Sequence, residues 1–351
     1  MADRQVFLRD VKHDVIKSAI AFGMTGSEHP AARGWALDRW GPSGTPTFID
    51  KAAESASIVN DVDSSSTTGL IDRQLFAAVR ESAVLFRMRG ARRTGWRTRS
   101  IVTGGTVAAW VKEGGAIPVH KPTFDNQGLA PCKVATIVVV TEAALESTPG
   151  IEAQIFDDMK RAIVDQLDTD LLDPSNTGTP GVTPASITSA ITPIPATTDP
   201  SDDLAALVAA FSGDLLSSYF IMQPDVAVKL AATGNFRDLG ARGGEAVGLP
   251  VLTSRAAPIE SVILVDPSGF LNAYDEEILL ETGRKGTLQM DTTPTMDATT
   301  PTAVQTVSLW ETNCVAFRGI GNVAWAEARA GGVAMLQGGA ADDWLDIAGV
   351  S

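Results

Sequence analysis

The chain has 351 residues, of which 44% are hydrophobic and 20% are charged, and its formal net charge is −14. This composition is typical of a folded globular protein and excludes a wholly disordered chain. The excess of acids argues against a protein whose main task is to grip nucleic acid, because neutralising phosphates requires a basic face. No run approaches the roughly 20 apolar residues that span a bilayer, and the first residues, "MADRQVFLRDVKHD", lack the apolar core of a secretory signal. We therefore expect no membrane-spanning segment and no signal peptide.

Residue types that carry catalysis or bind metals are sparse. Cys132 and Cys314 stand far apart in no metal-binding spacing, and we expect two reduced thiols. The three histidines fit neither a catalytic triad nor a metal site. "GIGNVA" (Gly319 to Ala324) matches a loose dinucleotide pattern, but too little chain follows to complete a βαβ unit. We expect a turn between two strands there, no cofactor, no metal and no enzyme activity.

The N-terminal region divides into a helix and an extended arm. Val6 to Ile20 has the apolar spacing of an amphipathic helix. Gly41 to Gly69 is rich in Gly, Pro and Ser, which predicts extended or loosely ordered chain. A further helix is expected from Asp72 to Phe86.

A basic strip follows, "RMRGARRTGWRTR", with six arginines, one tryptophan and no acid. Arginines interleaved with an aromatic residue could grip single-stranded nucleic acid. In an acidic protein the favoured alternative is that these arginines meet carboxylates, within the chain or on a neighbouring copy. The candidate contact residues of this strip are Arg87, Arg89, Arg92, Arg93, Trp96, Arg97 and Arg99.

The segment "AAWVKEGGAIPVHKPTF" (Ala108 to Phe124) does not fit the core of a single subunit. It has an aromatic residue near each end, two glycines, two prolines and no helical period. Its candidate contact residues are Trp110, Lys112, Glu113, Lys121 and Phe124.

A strand that turns into a helix is expected over Cys132 to Glu146, and a long helix over Ile151 to Asp173. Thr148 would cap the start of the long helix. Its polar side carries Asp157 and Asp158, which we expect to be solvated or to face a partner. The apolar stripe consists of Ile151, Ile155, Met159, Ile163, Leu167 and Leu171.

A Pro- and Thr-rich connector, Pro174 to Pro200, leads to a second mixed region and then to an acidic tail, "GGAADDWLDIAGVS". Two long strands are expected near the end, around Arg318 to Asn322, and the tail is expected to be peripheral. The other expected elements are helices over Asp202 to Gly213 and Pro224 to Ala232, and strands over Tyr219 to Met222, Val247 to Ser254 and Ser261 to Gly269.

The order of these elements resembles that of the major capsid proteins of tailed bacteriophages. The resemblance rests on "AWVKEGGAIPVHKPTF", on the long Pro-started helix, on "TGTPGVT" (Thr177 to Thr183) and on "AVGLPVLTS" (Ala246 to Ser254). It extends from about Gly69 to Met335.

The resemblance implies an α+β fold of the Hong Kong 97 phage type. An N-terminal arm would comprise residues 1–68, and an extended β-hairpin loop residues 96–129. A peripheral domain with a long spine helix would comprise residues 69–95, 130–173 and 297–340. Residues 174–296 would form an axial domain, and residues 341–351 a C-terminal tail. In this family the loop lies across a neighbouring subunit, and Trp110 and Phe124 would be buried against that subunit or at the base of the hairpin.

The implied function is self-assembly, as pentamers and hexamers, into an icosahedral head that encloses double-stranded DNA. The expected partners are other copies of the chain, DNA held without sequence specificity, a separate scaffolding protein and a portal, with room for a decoration protein and without a membrane. The expected location is the virion, after assembly in the bacterial host cytoplasm. An encapsulin-like shell around a protein cargo is the alternative, which the helix at Val6 to Ile20 keeps open.

Some relatives join their subunits covalently through a loop lysine, an asparagine in the last strands and a nearby glutamate. Lys112 or Lys121 could supply the lysine, and Glu311 the glutamate. The stretch expected to hold the asparagine reads "TAVQTV" (Thr302 to Val307) and has none. We therefore expect no such crosslink.

Overall fold

A computed structural model describes residues 17–22, 24–25, 29–41, 65–98, 110–113, 128–148, 150–291, 304–329, 331–339 and 343–345. The chain forms two compact units. The first comprises Met1–Val79, Ala135–Ile163 and Glu276–Gly321, and the second Arg80–Val134, Val164–Asp275 and Asn322–Ser351. The predicted division into arm, loop, peripheral and axial domains stays a prediction.

Most helices lie in the first two thirds of the described chain, and strands dominate its last third. The helices are His29–Trp40, Ser65–Arg80, Val84–Arg87, Glu142–Ser147, Ile151–Leu172, Pro200–Ala210 and Pro224–Ala232, with short 3-10 turns at Leu215–Ser217 and Pro267–Gly269. The strands are β1 (Arg92–Arg93), β2 (Lys133–Thr141), β3 (Ile194–Pro195), β4 (Tyr219–Met222), β5 (Leu239–Gly240), β6 (Gly243–Ala246), β7 (Leu249–Thr253), β8 (Ser261–Val265), β9 (Phe270–Tyr274), β10 (Leu279–Gly283), β11 (Thr287–Leu288), β12 (Val307–Ser308), β13 (Cys314–Glu327) and β14 (Val333–Gln337).

Most predicted elements are confirmed. The predicted strand-to-helix change occurs at Glu142, and β4 and the helix Pro224–Ala232 have their predicted bounds. The predicted helix Asp72 to Phe86 instead begins at Ser65 and is interrupted between Arg80 and Val84. Residues 65–69, predicted as the end of the extended arm, are therefore helical. Of the predicted helix at Val6 to Ile20, only residues 17–20 are described, and they are helical.

The long helix, Ile151–Leu172, buries its apolar stripe as predicted, since all six stripe residues are buried. The predicted cap at Thr148 is wrong. The backbone N–H of Thr148 donates to the carbonyl oxygen of Ala144 at 3.0 Å, so Thr148 ends the preceding helix. At the other end, the hydroxyls of Ser186 and Thr188 donate to the last two helical carbonyls at 2.9 and 2.8 Å. The connector therefore caps the helix, because these carbonyls have no partner within it.

A seven-stranded sheet forms the core of the second unit, in the order β3-β14-β8-β4-β7-β6-β5. All five residues of β8 are buried, as expected for a central strand. β4 runs antiparallel to β8 and parallel to β7. The helices Pro200–Ala210 and Pro224–Ala232 add Leu204, Leu207, Val226 and Leu230 to the same hydrophobic cluster.

The prediction of two strands and a turn around Arg318 to Asn322 is wrong, because β13 is one continuous strand from Cys314 to Glu327. In the first unit, its residues Ala316 to Ile320 pair antiparallel with β10. In the second unit, its last five residues pair antiparallel with β9. A Cβ atom at Gly319 would lie 3.1 Å from the Cε of Met159. Glycine is thus suited to a close approach to the long helix, and it makes no turn there.

The prediction of a peripheral tail is wrong for its described residues, 343–345. Trp344 and Leu345 are buried and belong to the hydrophobic cluster of the sheet. The indole Nε1 of Trp344 donates to Oδ2 of buried Asp203 at 2.7 Å. Burial of two large apolar residues, with the indole N–H satisfied, outweighs the acidity of this stretch.

Candidate functional site

The basic strip is held to the second unit at Tyr274 and Asp275. The guanidinium of Arg93 lies 4.3 Å from the ring centroid of Tyr274, a cation–π distance, and donates to the Tyr274 carbonyl oxygen at 3.3 Å. The indole Nε1 of Trp96 donates to Oδ1 of Asp275 at 2.8 Å. The other carboxylate oxygen of Asp275 accepts from Asn322 at 2.8 Å. One carboxylate therefore fixes the tryptophan at the centre of the strip.

The strip has both anchored and exposed arginines. Arg87 is half-buried and donates to the carbonyl oxygen of Thr253 at 3.3 Å. Arg89, Arg92, Arg93 and Arg97 are exposed, and Arg99 lies outside the described residues. The carboxylate of Asp275 therefore binds the tryptophan of the strip. The expected contacts of the arginines with carboxylates, within the chain or on other copies, stay a prediction.

The two ends of the segment 96–129 meet. The backbone N–H of Arg97 donates to the carbonyl oxygen of Leu129 at 2.9 Å. A Cβ atom at Gly128 would lie 2.3 Å from the carbonyl carbon of Arg97, so only glycine allows this approach. The described ends of this segment are therefore held together at one place.

Trp110 lies outside the core, as predicted. Its side chain is wholly exposed, with an accessibility of 106%, and Val111, Lys112 and Glu113 beside it are also exposed. Lys121 and Phe124 lie outside the described residues. We call Trp110 to Glu113 the loop segment.

Asp157 and Asp158 are exposed on the long helix, as predicted from its polar side. Arg161 lies one turn away, with its Nη1 3.8 Å from Oδ1 of Asp158. Both side chains of this pair are largely exposed, so the pair contributes little stability and leaves an acidic surface.

A cleft of about 680 Å³ lies in the first unit. We call it the Trp310 cleft; it is lined by Phe22, Glu142, Gly283, Arg284, Trp310 and Cys314, among others. Arg284 forms an ion pair with Glu142 and donates to the carbonyl oxygen of Met24 at 2.8 Å. Trp310 is 76% exposed. Sequence reasoning missed this cleft, although a tryptophan in the polar stretch "SLWETN" was a signal for it.

A buried carboxylate, Asp168, lies near the strip and joins three segments of the second unit. Its Oδ1 accepts from the backbone N–H of Val84 at 2.8 Å, and its Oδ2 accepts from the hydroxyl of Ser254 at 2.9 Å. Burial raises the pKa of Asp168 from 3.8 to about 6, against the lowering effect of these hydrogen bonds and of the Arg87 charge.

The described residues contain no group of three His, Cys, Asp or Glu placed to hold a metal ion. None of the helices in the described ranges is long and apolar enough to cross a membrane.

Comparison with known proteins shows what this chain is similar to. The model of the phage capsid family matches residues 70–337. The chain is 33% identical over 254 residues to the capsid polyprotein of Pseudomonas phage PAJU2, an alignment that covers 67% of this chain and 38% of that relative. The chain thus spans about two fifths of the length of that curated relative.

Solved structures from phages share the fold. One from Mycobacterium phage Adephagia has a TM-score of 0.52 and 20% identity, covering 82% of this chain and 98% of that chain. One from Gordonia phage Cozz has a TM-score of 0.52 and 16% identity, covering 74% and 87%. The predicted α+β fold class is confirmed.

Proposed function

Because this chain belongs to the phage capsid family and has the Hong Kong 97-type fold of tailed-phage capsids, we propose that it is a major capsid protein whose copies assemble as pentamers and hexamers into an icosahedral head around double-stranded DNA. The family match over residues 70–337 carries this proposal. Proteins of this family are structural components of the virion, and enzyme activity has no part in the proposal.

The exposed surfaces support the proposal physically. A closed shell needs heterologous contacts, in which different patches of each subunit meet. This chain offers several patches of different chemistry: the exposed arginines of the basic strip, the acidic side of the long helix, the loop segment and the Trp310 cleft. Basic and acidic patches on one chain favour association in a fixed register.

The charge of the chain limits how it meets DNA. With a net charge of −14, a subunit repels a duplex held nearby, so a shell of such subunits encloses DNA without specific binding. In this proposal a scaffolding protein and a portal guide assembly in the host cytoplasm, and a decoration protein binds outside. The segment 96–129 lies across a neighbouring subunit as the extended loop.

Expression of the whole chain tests the proposal. We expect closed shells, or rings of the size of pentamers and hexamers, by light scattering and negative-stain electron microscopy. A chain that stays monomeric both alone and with the scaffolding protein of its phage contradicts the proposal. Shells that retain a host protein as cargo instead favour the encapsulin-like alternative.

Charge reversal in the basic strip is expected to abolish assembly. In the double variant Arg92→Glu and Arg93→Glu, like charges would face the acidic partner surface, at a cost of several kcal/mol or about 100-fold in association. Sedimentation of particles measures the loss, with circular dichroism as the check on folding. Arg237→Glu with Arg242→Glu changes the same charge at two exposed positions outside the strip and serves as the control. Normal shells with reduced DNA content would contradict the interface and place the strip in the lumen.

A further inference from the structure

Two tryptophans in the described residues are exposed where most large apolar side chains of a folded protein are covered. Trp110 is wholly exposed in the loop segment, and Trp310 is 76% exposed at the cleft of the first unit. Tryptophan is highly buried on average and is enriched among residues that dominate protein–protein binding. Each of these side chains therefore marks a contact surface.

The Trp310 cleft has room for an indole ring. Its volume of about 680 Å³ lies in the range of clefts that hold small organic groups, ~300–1,000 Å³. Part of the space exists because residue 283 has no side chain, since a Cβ atom at Gly283 would meet no atom within 4 Å. Phe22, Leu309 and Trp310 supply apolar and aromatic lining. Edge or offset packing of a further indole against such rings is favourable.

The charges of the cleft suit the residues that follow Trp110. Arg284 in the cleft is already paired with Glu142, whereas Lys285 is an exposed cation in its lining. Glu113 lies three residues after Trp110 and is exposed. A loop segment that inserts Trp110 brings this carboxylate to the rim, where a pair with Lys285 would fix orientation.

We propose that the Trp310 cleft of one copy receives Trp110 of a second copy. This inference rests on the proposed function and names the surface that the loop segment contacts. The contact is heterologous, because loop and cleft are different surfaces of the same chain, and repeated contacts of this kind form a ring where the rotation between copies closes. The buried aromatic residue supplies the core of the contact, and the charged residues supply its rim.

A disulfide between copies tests this contact directly, because Cys314 lines the cleft. In a Trp110→Cys variant, assembled shells are treated with a mild oxidant and run on a non-reducing denaturing gel. We expect a ladder of multimers, since each copy offers one loop cysteine and one cleft cysteine. The ladder should disappear when Cys314→Ser is added. Val182→Cys, at another exposed apolar position, controls for non-specific linkage.

The other outcomes of this experiment overturn the proposal. A dimer band that persists with Cys314→Ser means that two loops meet each other. A monomer band with loss of the free thiol of residue 110 means that the loop fills the cleft of its own chain. Shells without any ladder leave the proposed function standing and remove only this contact.

Wild-type shells give a second measurement that needs no variant. Cys314 is half-buried in the chain, so a thiol reagent should label it in dissociated subunits. In shells, a filled cleft should keep the reagent away from this thiol. Buried Cys132 serves as the internal reference. Equal labelling of Cys314 in shells and in subunits would overturn the proposal, whether or not the Trp110→Cys variant assembles. A preparation without shells bears on the proposed function instead.

Discussion

Replacement of Asp266 by asparagine is expected to destabilise the folded subunit by about 3 kcal/mol, the upper part of the range for leaving a buried donor without its partner. Asp266 is fully buried and pairs with Arg329, whose Nη2 lies 2.6 Å from Oδ2. The same Oδ2 accepts from the backbone N–H of Asp214 at 3.0 Å and from the hydroxyl of Ser268 at 2.9 Å. Oδ1 accepts from the hydroxyl of Ser217 at 2.8 Å and from the backbone N–H of Ser268 at 2.9 Å.

Asparagine has almost the same shape but carries hydrogens on one of these two atoms. A side-chain NH₂ in place of either oxygen would face an N–H donor that cannot turn away, and the buried donor would lose its partner. Burial alone raises the pKa of Asp266, but the hydrogen bonds outweigh it and hold the pKa below its ordinary value. Because the folded state favours the charged form, this stabilisation is present above the ordinary pKa and is lost as the pH falls through the lowered value.

Urea unfolding of dissociated subunits at neutral pH measures the effect. Glu281→Gln is the matched control, because Glu281 pairs with Arg318 where both side chains are about half exposed. That change should alter the free energy of unfolding by no more than about 1 kcal/mol. A similarly small change for Asp266→Asn would contradict the structural importance of the buried carboxylate.

Replacement of Asp168 by asparagine is expected to remove a pH dependence of stability. The pKa of Asp168 is about 6 in the folded chain, against 3.8 for an unperturbed carboxyl, and burial is the main cause of this increase. The folded state therefore binds the proton more tightly than the unfolded state. Stability from this group is fully present below about pH 4 and is lost as the pH rises through about 6. Each unit of pKa difference is worth about 1.4 kcal/mol, so the loss amounts to ~3 kcal/mol.

The asparagine variant keeps an oxygen for the N–H of Val84 and an amide that the hydroxyl of Ser254 can face by turning. The variant cannot titrate at this position. Between pH 4 and pH 7 the wild type should therefore lose ~3 kcal/mol of unfolding free energy relative to the variant. Asp157→Asn, at an exposed acid on the same helix farther from Asp168, is the control for the loss of one charge. Parallel curves for Asp168→Asn and wild type would contradict the raised pKa.

Local sequence patterns were sufficient for elements whose apolar spacing matches their burial. The stripe of the long helix is the clearest case, because its six residues recur at one turn of a helix and all are buried. β4 and the helix that follows it are likewise bounded by the turn and cap residues that end them locally. Such elements needed no knowledge of distant parts of the chain.

Other features depend on contacts between residues far apart in sequence. The glycines of "GIGNVA" indicated a turn, whereas Gly319 lies in a strand that approaches Met159 closely. The acidic tail gave no sign that Trp344 would find buried Asp203, 141 residues away in the chain. Periodicity and composition carry no information on such pairs.

The candidate site was predicted in part. Composition alone identified the basic strip, and the lack of periodicity identified Trp110 as a residue outside the core. The tryptophan in "SLWETN" was a local signal, but the shape of the cleft could not be predicted, because its walls come from residues 22, 24, 25, 142, 282–285, 309, 310, 313 and 314, which only the fold brings together. The hydrogen bond that positions Trp96 is equally non-local, because its partner, Asp275, is 179 residues away in the chain.

The closed base of the loop has a consequence for how such chains diversify. The hydrogen bond from Arg97 to Leu129, together with the close approach at Gly128, fixes both ends of the intervening chain to one point. Lengthening a chain between two fixed ends costs little, only about 0.6 kcal/mol for each doubling. Insertions and deletions between these residues can therefore accumulate while the rest of the fold is kept. The length of this segment can therefore vary between related chains without a change elsewhere in the fold.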